Sequence, residues 1–226
     1  NSSDTNGSVS YSIAYTDSAG NAGTAVTSGS GSVNFDKTAP TVTITAAEVS
    51  DGATSNDATL ALTFTSSEAT SNFSEGDITV GNGALSSFAS TSSTVYTATF
   101  TPSGQGACTI DVAANTFTDT VGNNNLVSTQ FNWLFDSVAP TLSAVSIESD
   151  NTTDTLAKVN DVITLTMTAN ETIQTPVVTF QSGSAAITDT SITYNNTSGN
   201  TWTAAYTANS SDTNGSVSYS IAYTDS

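Results

Sequence analysis

The chain has no histidine and no arginine, and its only two basic residues are Lys37 and Lys158. Without histidine, the commonest general acid–base and triad chemistries lack their central group. No glycine-rich loop joins a strand to a helix in the phosphate-cradling pattern. Nothing else in the sequence calls for an enzyme. With so little positive charge, the chain has no means of neutralising nucleic acid phosphates or an anionic membrane surface.

Cysteine occurs once, at Cys108, so no disulfide can form within the chain. It lies in Cys108-Thr109-Ile110-Asp111-Val112, where every second residue is apolar, and reads as a small hydrophobe on a buried strand face. No stretch approaches the roughly 18 apolar residues of a membrane-spanning helix. No leader pattern opens the sequence, as expected of a window on a longer chain. Helical periodicity is absent throughout.

What remains is acidic, hydroxyl-rich and alternating. Formal charge is −18, the pI is near 4.1, and serine plus threonine make up 79 of 226 residues. Hydrophobic residues reach 36%, enough for thin cores. They recur with period two in runs rich in Val, Ile, Thr, Tyr and Phe, the signature of half-buried strands. An oxygen-rich, negative surface attracts cations, hard ones such as Ca²⁺ above all.

One repetition organises the chain. Residues 1–18 and 209–226 both read NSSDTNGSVSYSIAYTDS without a mismatch, an offset of 208 residues. Such identity indicates tandem duplication, a signal that decides architecture before any local reading. Two junctions divide the period: Phe35-Asp36-Lys37-Thr38-Ala39-Pro40 and Phe135-Asp136-Ser137-Val138-Ala139-Pro140. Each proline imposes an extended residue before it and removes a ladder donor, as suits a linker between domains. We therefore expect three segments. Residues 1–36 hold the last two strands of a preceding domain, 37–136 a complete domain, and 137–226 a second-type domain without its last strand.

Seven strands are expected in the complete domain: 41–49, 58–66, 76–81, 85–90, 94–101, 107–113 and 126–135. That number, spaced by turn signals over about 100 residues, suggests an immunoglobulin-like sandwich. Expected inward residues are Val42, Ile44, Leu60, Leu62, Phe64, Tyr96, Ala98, Phe100, Cys108, Ile110 and Val112. For the second type the expected strands are 141–149, 162–168, 176–181, 186–194, 202–207 and 216–223. The strand missing from its end is matched by residues 25–35 near the start of the chain. The fold class is thus all-β: tandem immunoglobulin-like β-sandwiches of about seven strands each, in an extended array. The duplicated 18-mer should occupy equivalent places in consecutive second-type domains.

The two types share the Phe-Asp-x-x-Ala-Pro linker and a strand ending in glutamate, at Glu68 and at Glu171. They also share aromatic-Thr-Asp-x-x-Gly-Asn, at 117–123 and 15–21. On these motifs, and on the stretch SEGDITVGNGALSSF, the chain resembles the bacterial Ig-like domains found in tandem in giant surface adhesins and biofilm-associated proteins. The resemblance covers essentially the whole chain. It implies an extracellular or cell-surface location and Ca²⁺ between successive domains.

Strand parity says where the acids go. The first strand leaves the linker, the second and sixth return towards it. Glu68, Asp119 and Asn123 should therefore meet Asp36 at the linker pole. The corresponding second-type set is Asp136, Glu171 and Asp225, with Asp17 and Asn21 as the loop acid and amide of the preceding copy. Carboxylates so gathered repel one another unless a cation joins them. Ca²⁺ takes six to eight oxygens, and loop carbonyls and water could complete its shell. The same Asp-x-x-Gly-Asn is also ordinary turn chemistry, in which Asp caps its own backbone and Gly and Asn accept positive φ. On that reading the glutamates are solvated strand ends.

Other residues read as structural. Asp51, Asp57, Asp154 and Asp161 are solvated turn residues at the opposite pole. Lys37 and Lys158 occupy non-equivalent positions and are poor isopeptide candidates. Asn-x-Ser/Thr triplets, as at Asn6, Asn72, Asn151, Asn170 and Asn196, follow from abundant Ser and Thr. Trp202 is expected in the core. Trp133 is expected to pack at a linker, with stacking on a sugar as the alternative.

Near-perfect repetition favours a property that grows with copy number, namely length. The expected function is a stalk or extracellular fibre of a secreted or surface-anchored bacterial protein. Its partners would be neighbouring repeats of the same chain, other fibres, host or abiotic surfaces, or glycans. The alternative is a glycan- or protein-binding Ig-like module.

Overall fold

The computed structural model describes residues 3–226, which form two compact units divided between Ser137 and Val138. Each is all-β, and a single turn of 3₁₀ helix, Glu75–Asp77, is the only helical element among the described residues.

The first unit opens with a bare hairpin. Strands β1 (Gly7–Ser8) and β2 (Asn34–Phe35) pair antiparallel, Gly7 opposite Phe35. Isolated bridges join Ile13 to Val26 and Thr16 to Ala22. The expected long strand over 25–35 is broken here. Its middle, Thr27-Ser28-Gly29-Ser30-Gly31-Ser32, carries no large side chain, and Gly31 has φ of 87°. Val9, Ile13 and Val33 stand largely in solvent, Val33 at 67% exposure.

Residues from Val42 onward form a two-layer sandwich. One sheet is made of β3 (Val42–Ala46), β5 (Leu60–Ser66), β8 (Val95–Pro102) and β7 (Gly83–Ser90), in that order. The other runs β4 (Thr54–Ser55), β10 (Phe131–Phe135), β9 (Gly106–Val112) and β6 (Ile78–Gly81). All eleven expected inward residues are buried, because alternate residues of a strand point to one face. Phe73 anchors the linker end of the core, with Phe64, Tyr96, Phe88 and Phe117 around it at ring-centroid distances of 4.9 to 5.9 Å.

Two features differ from expectation. The short strand β4 was not anticipated; it pairs parallel with β10, Thr54 opposite Leu134. Two residues carry no detectable period. Trp133 packs inside the sandwich at 2% exposure, edge-on to Phe100 at 4.8 Å, and not on the linker. Its position on β10 faces Cys108 across the ladder, which fixes it inward.

In the second unit, β11 (Leu142–Ser149), β12 (Val162–Ala169), β16 (Thr201–Thr207) and β15 (Thr193–Ser198) form one sheet. The other has three strands: β14 (Ala185–Ala186), β13 (Val177–Ser182) and β17 (Val217–Ala222). Ile163, Leu165, Met167, Val178, Phe180, Ala204 and Tyr206 make its core. The expected single strand over 186–194 is two strands in different sheets. Asp189 turns the chain between them by accepting from Ser191 N at 2.8 Å and Thr207 N at 3.0 Å. Trp202 is only half-buried at the edge of this core.

Candidate metal centre

The linker pole of the sandwich is closed by backbone hydrogen bonds. Ser67 N donates to Thr41 O at 2.9 Å, and Leu126 N to Pro40 O at 2.9 Å. These tie the end of β5 and the loop after β9 to the start of β3. A bridge between Thr70 and Asp119 draws the two loops together. As a result Asp36, Glu68 and Asp119 offer carboxylate oxygens that all lie within 4.8 Å of one another.

Asp119 is held by its own loop. Its Oδ1 accepts from the backbone N–H of Val121, Gly122 and Asn123 at 2.7 to 2.9 Å. Its Oδ2 accepts from Asn123 Nδ2 at 2.8 Å. Gly122 has φ of 101°, a conformation that favours glycine. The carboxylate is buried at 6% exposure. Burial works against its charge, but the amide of Asn123 and the three backbone donors prevail, so its pKa lies below the ordinary aspartate value. Asn123 also reaches Asp36 O at 3.4 Å, so it braces the site across the linker.

Glu68 is shifted the other way. Desolvation, then the charges of Asp36 and Asp119, then a hydrogen bond with Asp119, raise its pKa above the usual glutamate value. The three carboxylates thus differ in role: Asp119 is locked and ionised, while Glu68 is the group the cluster strains.

The same loop recurs in the hairpin. Asp17 Oδ1 accepts from Ala19 N and Asn21 N, each at 2.9 Å, and Oδ2 from Asn21 Nδ2 at 2.8 Å. The Asn21 amide lowers the Asp17 pKa as Asn123 lowers that of Asp119. Asp17 stands exposed in this hairpin, so the loop forms from local hydrogen bonding without a surrounding domain. The aspartate-capped turn therefore forms in both places with its glycine at positive φ, 90° at Gly20 and 101° at Gly122, whereas Asn21 and Asn123 do not take the positive φ expected of them.

In the second unit, Glu171 and Asp225 offer oxygens within 4.8 Å of each other. Ile173 bridges Asp225, the counterpart of Thr70 with Asp119. Asn170 Nδ2 donates to Glu171 Oε1 at 3.3 Å. Asp136 belongs to the first unit, where its Oδ1 accepts from Gln105 Nε2 at 2.6 Å.

Residues outside the expected set also build the pole. Asn6 Nδ2 donates to Asp36 Oδ1 at 2.8 Å and contacts Thr38 Oγ1, while Asn6 Oδ1 accepts from Lys37 N at 3.1 Å. Gln105 repeats this clamp on the next linker, taking Ser137 N at 2.9 Å on Oε1. Each amide immediately precedes a glycine, Gly7 or Gly106, that pairs with the phenylalanine opening the linker, Phe35 or Phe135. Of that placement, the sequence shows only an amide side chain followed by glycine, Asn6-Gly7 and Gln105-Gly106. Asn72 is a second brace, accepting Thr118 N at 3.1 Å and donating to Thr118 Oγ1 at 3.3 Å.

Residues 36–134 match the family model of a bacterial Ig-like domain. The matched stretch covers the sandwich that carries Asp36, Glu68 and Asp119. Among solved structures, the titin Ig tandem domains A164-A165 are 14% identical, with a TM-score of 0.25, over 81% of this chain and 96% of that one. No curated protein matches the chain. Among the described residues, no helix is long and apolar enough to cross a membrane.

The remaining acids fall into two kinds. Asp51 is exposed, but it is not a self-contained turn acid: its Oδ1 accepts from the backbone N–H of Asn132 on β10 at 2.8 Å. Asp161 is not solvated as expected. At 6% exposure it accepts from Asn151 Nδ2 at 2.7 Å, Lys158 N at 2.9 Å and Lys158 Nζ at 2.5 Å. The Asn151 amide first, then Lys158, lowers its pKa to about 2. Lys158 itself is a mostly exposed side chain in an ion pair, without the apolar enclosure an isopeptide would need.

Proposed function

We propose that this chain is a structural segment of a secreted or surface-anchored bacterial protein, an extended stalk or fibre of tandem Ig-like domains serving adhesion or biofilm formation. In this reading Ca²⁺ stiffens each junction. The observation that carries it is the gathering of Asp36, from the linker itself, with Glu68 and Asp119 from two loops of the following domain. A cation there would fasten linker to domain and relieve the strain on Glu68. The donor set is all oxygen, as Ca²⁺ requires, and carbonyls and water would supply the rest of its shell. Glu171 and Asp225 would contribute the second unit's own part of such a site, Asp136 is the linker acid expected to serve it, and Asp17 and Asn21 would contribute the loop of the preceding one. The hydroxyl-rich surface and charge of −18 keep such a rod soluble and discourage lateral clumping. No catalytic role is proposed, and the expected location is extracellular.

Calorimetry of the 226-residue chain in EDTA and in millimolar Ca²⁺ tests this. A Ca²⁺-dependent rise in melting temperature that Glu68→Gln diminishes supports the reading. An unchanged melting temperature overturns the calcium component.

A further inference from the structure

Two side chains outside the acid cluster hold the linkers in the same way. Gln105 immediately precedes β9 of the complete sandwich. Its Nε2 donates to Asp136 Oδ1 at 2.6 Å, and its Oε1 accepts from Ser137 N at 2.9 Å. Asn6 immediately precedes β1. Its Nδ2 donates to Asp36 Oδ1 at 2.8 Å, and its Oδ1 accepts from Lys37 N at 3.1 Å. In each case one planar amide grips the linker aspartate with its nitrogen and the next backbone N–H with its oxygen. Gln105 makes this grip within a complete sandwich, so the grip requires neither a chain end nor an open sheet edge.

An amide suits this task. An ionised carboxylate cannot donate to the aspartate, and lysine or arginine cannot accept the N–H. A cationic side chain would also neutralise the acid, whereas a neutral amide orders it and leaves its charge in place. The following glycine aims the amide. Gly7 has φ of 134° and Gly106 of 117°, in the region that favours glycine. A side chain at either position would meet no atom nearer than 4.0 Å, so backbone conformation and not crowding selects glycine there.

Asp36 shows what the grip leaves free. Its Oδ1 takes both the Asn6 amide and Thr38 N, the latter at 3.0 Å, while Asn6 Nδ2 also contacts Thr38 Oγ1. Oδ2 takes neither donor. The same carboxylate offers an oxygen within 4.8 Å of Glu68 and Asp119. We propose that Asn6 is a positioning residue of this pole, holding Asp36 by Oδ1 so that Oδ2 stays open to a divalent cation shared with Glu68 and Asp119, and that Gln105 is its equivalent for Asp136. Asn6 does not touch the cation and acts only through Asp36. Cation affinity at the pole is then set from both sides of the linker: by an amide that precedes it and by two acids that follow it. The positioning role rests on the calcium reading; the grip itself does not.

Two readouts on the 226-residue chain test this. In EDTA, amide exchange followed by NMR reports the grip alone. Asn6→Leu should speed exchange of the Lys37 N–H, and Gln105→Leu that of the Ser137 N–H, by about tenfold, as loss of one hydrogen bond does. The Leu62 N–H, inside the sheet, should stay protected in both. Asn6→Gln and Gln105→Asn should preserve the slow exchange, since each residue type already does the task at the other linker. Ca²⁺ titration calorimetry reads the positioning role, in chains that also carry Glu171→Gln and Asp225→Asn so that the first unit's acids are measured. Asn6→Leu should weaken Ca²⁺ binding about 10–100-fold, as loss of a partner that orients a ligand does. Its melting temperature in EDTA should not change, because Asn6 is exposed, and Asn6→Gln should restore the affinity. Exchange at Lys37 and Ser137 that the leucine variants leave unaltered would overturn the grip. Binding that Asn6→Leu leaves unaltered would overturn the positioning role while the calcium reading stands. A parent chain that binds no Ca²⁺ would overturn both, and the exchange rates would still decide the grip.

Discussion

Glu68 ends a strand at a point where two other carboxylates already stand, and folding raises its affinity for protons. A group whose folded pKa exceeds its unfolded value adds stability at low pH and loses it as pH rises through the folded value. Between its ordinary 4.5 and the raised value, acidification should therefore stabilise the first unit at this residue. Glu68→Gln should reproduce that gain at neutral pH in the absence of Ca²⁺. For a partly solvated cluster it should be about 0.2–1 kcal/mol, or ~1–6 °C in melting temperature. A fall in melting temperature of the variant in EDTA would contradict the repulsion argument. Asp161 behaves oppositely. Its depressed pKa contributes stability above the ordinary 3.8 that is lost as pH falls towards about 2. Asp161→Asn should flatten the acid limb of the second unit's pH–stability curve. Cys108 is buried and its thiol pKa is pushed up by desolvation, so it should resist alkylation until the sandwich unfolds. Labelling that proceeds at the rate of a free thiol in native buffer would refute its burial.

At the scale of the element, what the sequence revealed depended on whether a residue takes part in a period. Strand faces alternate, so Leu60, Phe64, Ile110 and their neighbours could be placed from the pattern alone. The gathering of Asp36, Glu68 and Asp119 followed from counting strand reversals, which needs only the order of elements. The two-residue strand β4 and the crossing at 187–192 have no period and were not visible. Asn6 and Gln105 were missed because they differ in type and lie in loops, and only the observed register makes them equivalent. Asp161 was misread for a related reason, since a loop aspartate looks alike in sequence whether solvent or Asn151 satisfies it. The Asp-x-x-Gly-Asn loop was legible because its chemistry is local. Gly122→Ala should accordingly cost about 1 kcal/mol or more, since alanine is strained at φ of 101°. Denaturant titration of the first unit measures it.

For the whole molecule, the same 18 residues form a regular strand in one place and scattered bridges in another. The sequence is identical, so the difference comes from the neighbours. Residues 217–222 have β13 to align against, and residues 9–14 have only a serine- and glycine-rich partner. The two units differ in the same sense. The first buries sixteen apolar side chains in its core cluster and the second seven, so the second should unfold first on heating. If the open edge of β17 accounts for part of this weakness, covering it should narrow the gap. Appending the 18 residues AGNAGTAVTSGSGSVNFD after Ser226 repeats residues 19–36 in the frame of the 208-residue period and presents the partner strand in the same polypeptide. The lower melting transition should then rise, by ~4–8 °C for each kcal/mol gained in a unit of this size. The upper transition should stay in place. A lower transition that does not move would mean that the second unit's core, and not its edge, sets its stability.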